Sequence, residues 1–448
     1  MRHSLRFSIA ALFAFALAAC SSNISQVQPA TATQPVTVAR GAVLSLRQVG
    51  TITKAQMTAG IAGSAISELG GAPECDVTLY AITYETIGAH GEPANTSEGF
   101  FVPAKGCTGP FPLVGYAQGT NVVKAQKITD PTSRNIEPVV IAAIYAAHGD
   151  AVAATEFLGL GYSTYRYQPY LVVSAEASAV IDSMRASRNA AKMLGIPLSS
   201  VVLLTGHSQG GQAAMGTQRA IEADEPGEFH LIAGAPSSGP YALVRTTLDG
   251  VAHPGMSAPI FSAYMLTAYQ KTYGNIYTDP TQVFQNPYAS GIDSLLPVDT
   301  YAEAAALNGK TLPRALSRLL QPAFMKSFTS DPKNGARIDM AKNDLLNGWT
   351  PVAPVALCGG SQDPVVEYEN SKLAYAYFEK ERVKVTLTDV NGLIPSTLPS
   401  SEYHDAVLLF CLTLNRVAIL DKKPARARAS VRMLPGSFSL HPGSDIPE

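Results

Sequence analysis

One pentapeptide, Gly-His-Ser-Gln-Gly at residues 206–210, limits the folds open to this chain more than any other segment. A β-rich run, Val201–Thr205, comes directly before it, and helix-forming residues from Gln212 onward come directly after it. A turn this tight between a strand and a helix lifts the serine hydroxyl above a sheet. The positions two residues away on either side must be small, because side chains there would collide across the turn. We therefore expect a strand–turn–helix unit with Ser208 at its apex; a glycine-rich surface loop is the alternative.

The segments around this unit alternate between strand and helix patterns. Short apolar runs predict strands, and longer runs with helical spacing predict helices. The predicted strands are Val77–Tyr84, Gly99–Val102, Phe111–Tyr116, Ala151–Thr155, Val201–Thr205, Leu231–Ala235, Val355–Leu357 and Val383–Leu387, and the predicted helices are Val172–Leu194 and Gln212–Ala223. Such alternation predicts an α/β fold with a mostly parallel central sheet flanked by helices.

Residues 244–350, here called the insertion, break this rhythm with helical patches and no strong strand. We expect them to form a mainly helical lid inserted into a core of residues 41–243 and 351–421, followed by a C-terminal tail over 422–448. The insertion contains the large side chains Phe261, Tyr264, Leu266, Tyr269 and Tyr273. These residues either favour hydrophobic acyl chains in a substrate or form the core of the insertion itself.

The N-terminus has the features of a bacterial export signal. A positively charged start precedes an almost entirely apolar run, Phe7–Ala19, which ends at Cys20 and two serines. This ending resembles the lipobox of bacterial lipoproteins, in which cleavage leaves a lipid on the cysteine. We predict a signal peptide over residues 1–20, a lipid anchor on Cys20 and a flexible tether over residues 21–40. The protein would then be lipid-anchored in the cell envelope, with the outer membrane preferred; an ordinary secretory signal is the alternative.

Composition excludes some classes of partner and suggests disulfides. A net charge of -2 with no basic cluster argues against nucleic acid as a partner. Four cysteines follow the predicted signal, in a chain expected to leave the reducing cytoplasm. They permit three pairings, among which the sequence does not choose. We prefer one bridge near each end of the domain, Cys75 with Cys107 and Cys358 with Cys411, and four buried thiols are the alternative.

A serine hydroxyl becomes a good nucleophile only when a base takes its proton, so a histidine must lie within reach of Ser208. In this kind of site the base follows the serine in the chain. Four histidines do so: His230, His253, His404 and His441. The first leads into a predicted strand, the second falls in the insertion and the last lies in the tail. We therefore predict His404, between a loop at Pro399–Tyr403 and a helix starting near Ala406; a surface histidine is the alternative.

The acid that orients this histidine is expected after a late strand. Asp363 follows the predicted strand at Val355–Leu357, and a carboxylate at the carboxyl end of a strand is well placed for a site above the sheet. Asp389 competes with it, because it follows the next strand and is nearer His404 in sequence. We prefer Asp363, since the loop after the next-to-last strand supplies the acid in most such sites.

Two backbone N–H groups are expected to stabilise the negative charge on the substrate oxygen. One belongs to Gln209, the residue after the nucleophile. The second should come from the loop after an early strand, where Gln118 is the preferred donor and Ala117 the second choice. The alternative for this segment is a plain turn at the end of a strand.

Several segments resemble the secretory lipase family of the α/β-hydrolase superfamily, whose fungal members are lipases with a lid. They are Tyr116–Thr120, Gly159–Tyr162, Gly206–Gly211, Gly359–Val366 and His404, and they span most of residues 110–410. The resemblance implies the α/β-hydrolase fold, the triad Ser208, Asp363 and His404, and an oxyanion donor at Gln118. The chain departs from the family pattern at Gln118, where many relatives have His, and at Glu156, where Asp is common.

These features predict an esterase or lipase in which Ser208 forms an acyl-enzyme and His404 moves the proton. No metal or organic cofactor is implied, since no His/Cys cluster has ligand spacing. The expected partners are a small-molecule or lipid ester and, through Cys20, a membrane. A peptidase or amidase of the same fold and a non-catalytic surface lipoprotein are the alternatives.

Overall fold

The computed structural model describes residues 39–130, 136–252 and 258–422. One sheet of nine strands runs through the molecule in the order β1-β2-β3-β5-β4-β6-β7-β8-β9. The strands are β1 (Val43–Ile52), β2 (Val77–Ile87), β3 (Pro93–Pro103), β4 (Phe111–Ala117), β5 (Ala151–Thr155), β6 (Leu198–His207), β7 (His230–Ser237), β8 (Val355–Gly359) and β9 (Val385–Asp389).

Thirteen α-helices accompany these strands in the described residues. They are α1 (Lys54–Ile61), α2 (Ala65–Gly70), α3 (Glu137–Ile144), α4 (Val173–Leu194), α5 (Gln209–Asp224), α6 (Leu243–Ala252), α7 (Ala258–Tyr273), α8 (Tyr301–Leu307), α9 (Leu316–Leu319), α10 (Pro322–Ser330), α11 (Gly335–Lys342), α12 (Glu369–Lys380) and α13 (Ser400–Ile419).

The sheet is antiparallel at one end and parallel through the rest. Strands β1, β2, β3 and β5 pair antiparallel to their neighbours, whereas β5, β4, β6, β7, β8 and β9 are successively parallel. All five residues of β5, where the antiparallel part of the sheet meets the parallel part, are buried, as expected for a strand that is covered on both faces. The predicted α/β-hydrolase fold with a mostly parallel sheet is thereby confirmed.

The two faces of the sheet carry separate hydrophobic cores. On one face, Val114 and Leu203 pack with residues of α3 and α13 such as Val140 and Leu412. On the other face, the neighbouring residues Leu113 and Leu204 pack with α4, including Met184. Successive residues of a strand point to opposite faces, so one apolar strand supplies both cores. This double burial makes the carboxyl ends of the central strands a rigid base for a site.

The outer strand β1 differs from the central strands. Its burial alternates irregularly, and its pairing with β2 shifts register between Val43 and Ser45 and again between Gln48 and Gly50. Register shifts of this kind bend and twist a strand. The opposite edge, β9, is five residues long and fully buried at none of them.

The insertion lies between β7 and β8. Its described residues form helices α6 to α11 and isolated bridges, with no further strand among them. They form a hydrophobic core together with residues from outside the insertion, such as Tyr170 and Leu171, and this core includes Tyr264, Leu266 and Tyr269, each at most 3% exposed. These three residues are therefore core residues, which is the second of the two interpretations given above. Phe261 and Tyr273 are partly exposed.

Several predictions concern residues outside the described ranges. The signal peptide, Cys20, nearly all of the tether, and the tail beyond Lys422 lie there, so these assignments stay predictions. The limits of the core and of the insertion also stay predictions. Among the described helices, none is both long enough and apolar enough to cross a membrane.

Candidate active site

Ser208 occupies the single position between β6 and α5. Its backbone has φ 60° and ψ -124°, a conformation that costs energy for a residue with a side chain. The surrounding backbone holds it there, because its N–H donates to the Ser237 carbonyl at 3.0 Å and its carbonyl accepts from the Gly211 N–H at 2.9 Å. Ser208 is partly exposed while its neighbours His207 and Gln209 are buried. The turn therefore presents one hydroxyl at the surface of the core.

Close backbone contacts explain the glycines of this turn. A Cβ on Gly210 would lie 1.9 Å from the Ala117 carbonyl oxygen, and a Cβ on Gly206 would lie 2.6 Å from the same atom. Both distances are far below van der Waals contact, and the opposing atom belongs to the backbone, which cannot turn aside as a side chain can. The segment after β4 is thus packed directly against the Ser208 turn.

Asp363 lies in the loop after β8, with its side chain buried. Its Oδ2 is 2.7 Å from Nδ1 of His404. Its Oδ1 accepts hydrogen bonds from the backbone N–H groups of Val365 at 2.9 Å and Val366 at 3.2 Å. Both carboxylate oxygens are therefore engaged, which fixes the orientation of the group that holds the imidazole.

Asp389 lies elsewhere. It is exposed, and its Oδ1 accepts from the backbone N–H groups of Ser361 at 3.0 Å and Asn391 at 2.9 Å. Of the two candidate acids, the structure brings Asp363 to His404 and leaves Asp389 at the end of β9.

His404 stands beside the Ser208 turn. The centroid of its ring is 4.2 Å from that of His207, the residue directly before the serine. Nδ1 is occupied by Asp363, and within the described parts of the chain Nε2 is buried without a hydrogen-bond partner. Nε2 therefore makes no hydrogen bond to the Ser208 hydroxyl in this structure.

The segment before His404 differs from its prediction. Helix α13 begins at Ser400, so residues 400–403 form its first turn and not a loop. Pro399 precedes that turn and Glu402 lies within it, and both residue types favour a helix N-terminus, Pro by its fixed φ and Glu by its charge near the positive end of the helix dipole. The expectation of a helix start near Ala406 is wrong by about two turns.

His207 has a role that the sequence pattern did not reveal. Its Nδ1 lies 3.0 Å from the Ser237 hydroxyl, and its ring is buried against His404. Burial, reinforced by the His404 imidazole, holds the pKa of His207 well below its usual range. A neutral ring here contacts His404 and adds no positive charge beside it.

The segment after β4 places Gln118 against the same turn with its side chain facing inward. The Gln118 amide donates from Nε2 to the Glu156 carbonyl at 2.9 Å. The backbone N–H of Gly119 donates to Glu137 Oε1 at 2.9 Å. The Gln118 side-chain amide is therefore engaged within the protein. The oxyanion roles of Gln118 and Gln209, and of Ala117 as second choice, stay predictions.

Two buried glutamates, Glu156 and Glu176, are hydrogen-bonded to Gln118 and Gln209 respectively. Glu156 accepts from the Ile128 N–H at 2.7 Å and from the Ser97 hydroxyl, and burial raises its pKa. Glu176 accepts from the side chain of Gln209 at 2.6 Å. Glu156 is one of the two positions at which the sequence departs from the family pattern. The one local signal for Glu176 is a charged side chain among mostly small and apolar residues of the predicted helix.

The insertion reaches this site through aromatic side chains. Tyr264 of α7 stacks on Tyr170 with ring centroids 4.5 Å apart and planes 8° apart. The Tyr170 hydroxyl lies 3.0 Å from that of Thr120, two residues after Gln118. The Tyr264 hydroxyl also donates to the Asn121 carbonyl at 3.3 Å. The insertion is thus attached to the loop expected to supply the second oxyanion donor.

Disulfide bonds join Cys75 to Cys107 and Cys358 to Cys411. The second links the end of β8, which precedes Asp363, to α13, which carries His404. Among the described residues no group of His, Cys, Asp or Glu could hold a metal ion. Of the remaining candidate histidines, His230 starts β7, whereas His253 and His441 lie outside the described residues.

Solved structures of an esterase, a hydrolase and a lipase resemble this chain. The esterase is LipA from Xanthomonas oryzae, described as degrading rice cell walls; it is 36% identical over 86% of this chain and 100% of its own, with a TM-score of 0.77. A putative hydrolase from Legionella pneumophila is 22% identical over 83% of this chain and 96% of its own, with a TM-score of 0.72.

The third neighbour is lipase A from Candida antarctica in its closed state. It is 12% identical over 88% of this chain and 86% of its own, with a TM-score of 0.60. At their low identities this lipase and the Legionella protein show a shared fold alone. No protein-family profile and no curated protein sequence matches the chain.

Proposed function

The chain belongs to the family of α/β-hydrolase esterases and lipases that includes Xanthomonas oryzae LipA, and we propose that it hydrolyses carboxylic esters through an acyl-enzyme on Ser208. One observation carries this proposal. His404 lies beside the strained turn that presents Ser208, and the buried Asp363 carboxylate holds its Nδ1 at 2.7 Å. The free Nε2 is the nitrogen that a serine nucleophile requires.

The proposed first half-reaction builds the acyl-enzyme. Ser208 Oγ attacks the ester carbonyl carbon while His404 Nε2 takes the hydroxyl proton. Asp363 stabilises the imidazolium that forms. The negative charge develops on the former carbonyl oxygen, and the backbone N–H groups of Gln209 and Gln118 are proposed to donate to it. The tetrahedral intermediate then expels the alcohol, which receives the proton from His404.

The second half-reaction releases the acid. Water attacks the acyl-enzyme carbonyl and gives a proton to His404. Collapse of the second tetrahedral intermediate returns that proton to Ser208 Oγ, so the carboxylic acid leaves and the enzyme is restored. No step requires a metal ion or an organic cofactor.

The deciding test compares residues 21–448 with the Ser208→Ala variant on p-nitrophenyl esters from acetate to palmitate. Removal of the nucleophile should lower kcat by about 10⁴-fold or more. Ser200→Ala is the matched control, because Ser200 is an exposed serine on the same strand, and it should retain wild-type kcat. Full activity in Ser208→Ala would refute the mechanism. Hydrolysis of a p-nitroanilide without any ester turnover would identify an amidase instead.

We also propose that a lipid on Cys20 anchors the mature chain to an envelope membrane, on the support of the N-terminal sequence. Metabolic labelling with a radioactive fatty acid should mark the wild type and leave Cys20→Ala unlabelled. The variant should move from the membrane fraction to the soluble fraction. Equal labelling of both proteins would contradict the anchor.

A further inference from the structure

Glu176 lies on the first turns of α4, fully enclosed and in contact with the residue after the proposed nucleophile. Its Oε1 accepts from Gln209 Nε2 at 2.6 Å and from the backbone N–H of Leu171 at 3.0 Å. Leu171 has a φ of 57°, so this carboxyl group also holds a strained turn in place. One oxygen of Glu176 thus connects the start of α4 to the start of α5.

The remaining side-chain oxygens of Glu176 and Gln209 make no hydrogen bond within the described part of the chain. Glu176 Oε2 and Gln209 Oε1 are both buried without a hydrogen bond among the described residues. Both are acceptors when the glutamate is ionised, and a contact that leaves two buried acceptors without a donor is unfavourable. A single proton on Glu176 Oε2 would turn this acceptor into a donor, and a hydrogen bond from it to Gln209 Oε1 would satisfy both atoms.

We propose that Glu176 is a neutral carboxylic acid in the active enzyme and forms a cyclic acid–amide pair with Gln209, which makes it a positioning residue for the backbone N–H of Gln209. The amide donates to Glu176 Oε1 and the acid donates to Gln209 Oε1, so the Gln209 side chain is held at both of its polar ends. This inference rests on the proposed function only for its effect on catalysis.

The surroundings of Glu176 favour the neutral form. The titratable groups that face it are the phenols of Tyr170, on the turn before α4, and of Tyr269 and Tyr273, on α7 of the insertion. Burial raises the pKa of all three phenols, so they stay uncharged. Burial likewise raises the pKa of Glu176 to about 8, although its hydrogen bonds to Gln209 and Leu171 oppose that change.

The sign of the pH effect follows from that shift. Below about pH 8 the acid is protonated and the pair is complete. As the pH rises through this value the proton leaves, the Glu176–Gln209 pair loses one hydrogen bond, and Oε1 of Gln209 faces a buried charge. The backbone N–H of Gln209 should then be less well fixed, so kcat should fall at alkaline pH.

The experiment measures kcat and KM of the full chain from about pH 6 to about pH 10 by titrating the released acid. In wild type we expect kcat to fall about 10-fold through a single ionisation near pH 8, with little change in KM. Glu176→Gln presents the same donor and acceptor pattern as the protonated acid. It should keep kcat within about threefold of wild type at neutral pH and show no alkaline fall. Glu176→Leu should lower kcat about 10-fold at every pH.

Glu98 supplies the matched control. It is also fully buried, and burial raises its pKa to about 8, but its carboxyl group accepts from Ser183 and Ser187, about two and three turns further along α4. Glu98→Gln should keep the alkaline fall of the wild type. Loss of the fall in Glu98→Gln, or its persistence in Glu176→Gln, would overturn the proposal.

An infrared measurement separates this proposal from the proposed function. The difference spectrum between wild type and Glu176→Gln at neutral pH should contain the carbonyl stretch of a protonated carboxylic acid. That band requires no turnover, so it is expected even if the esters tested are not substrates. A carboxylate band in its place would overturn the proposal while leaving the esterase assignment intact.

Discussion

The Ser208 turn and the insertion are both tightly packed, but different contacts hold them. At the turn, backbone meets backbone, as where Gly210 lies against the Ala117 carbonyl. In the insertion, side chains meet side chains, as where Tyr264 stacks on Tyr170. Side chains can turn to relieve a poor contact, whereas a backbone held in a sheet cannot. Small changes at the turn should therefore impair catalysis, and changes in the insertion should appear mainly as lost stability.

The largest contrast is expected between two Gly→Ala substitutions. In Gly210→Ala the new Cβ meets the Ala117 oxygen at 1.9 Å, so the turn and the end of β4 must move apart. A displacement of about 1 Å at a catalytic group costs about 100-fold in rate. We expect kcat/KM to fall by about 100-fold or more, measured on the best p-nitrophenyl ester.

Gly250→Ala is the control from the insertion's first helix, α6. A Cβ at Gly250 meets nothing within 4 Å, and alanine is a better helix former than glycine by about 1 kcal/mol. This variant should keep wild-type activity and unfold at the same or a higher temperature. Equal losses in the two variants would show that both regions tolerate a methyl group equally poorly, and the contrast would fail.

Next in size is the loss of the Cys358–Cys411 disulfide, which spans 53 residues. Replacement of both cysteines by alanine should lower the free energy of unfolding by about 2–4 kcal/mol, by the loop-entropy argument. The matched variant removes Cys75–Cys107, which spans 32 residues, and should cost a similar amount. Denaturant unfolding followed by circular dichroism measures both.

The two disulfide variants should differ in activity. Only the Cys358–Cys411 bridge joins the strand before Asp363 to the helix that carries His404. At a temperature where both variants are fully folded, its removal should lower kcat several-fold more than removal of the other bridge. Equal values of kcat would show that the acid and the base keep their places without it.

The smallest effect is expected within the insertion. Tyr264→Phe keeps the ring stacked on Tyr170 but removes the hydroxyl that donates to Gln168 and to the Asn121 carbonyl. We expect a loss of about 1–2 kcal/mol in unfolding free energy, with kcat within about threefold of wild type. Tyr162→Phe is the control, because Tyr162 is 43% exposed. A large fall in kcat for Tyr264→Phe would contradict the separation between the two regions.

The sheet region could be predicted from the sequence because strands buried on both faces need unbroken apolar runs. Ala151–Thr155 has the predicted bounds, and Val201–Thr205 lies within β6. The turn at Ser208 was also predictable. Its two glycines are required because any larger residue there would collide with the backbone of the neighbouring segment. The candidates for the base were limited because it follows the serine in the chain, and those for the acid because it follows the end of a late strand.

The rest depends on contacts between residues distant in sequence. Glu176 and Gln209 are 33 residues apart, and no local pattern relates them. The same holds for His207 and His404, whose ring contact follows from the placement of α13 against the sheet. The prediction for the start of α13 is wrong because serines and a glutamate are equally compatible with a loop and with the first turn of a helix.

Strand β1 has a consequence for how the protein behaves when it is concentrated. A flat edge strand offers unpaired N–H and C=O groups to the edge of a neighbouring molecule, which is a route to aggregation. The two register shifts of β1 distort that edge, and the short β9 offers few groups on the other side. Neither edge is therefore a good template for a further strand. This protects the sheet against edge-to-edge association with other molecules at high concentration.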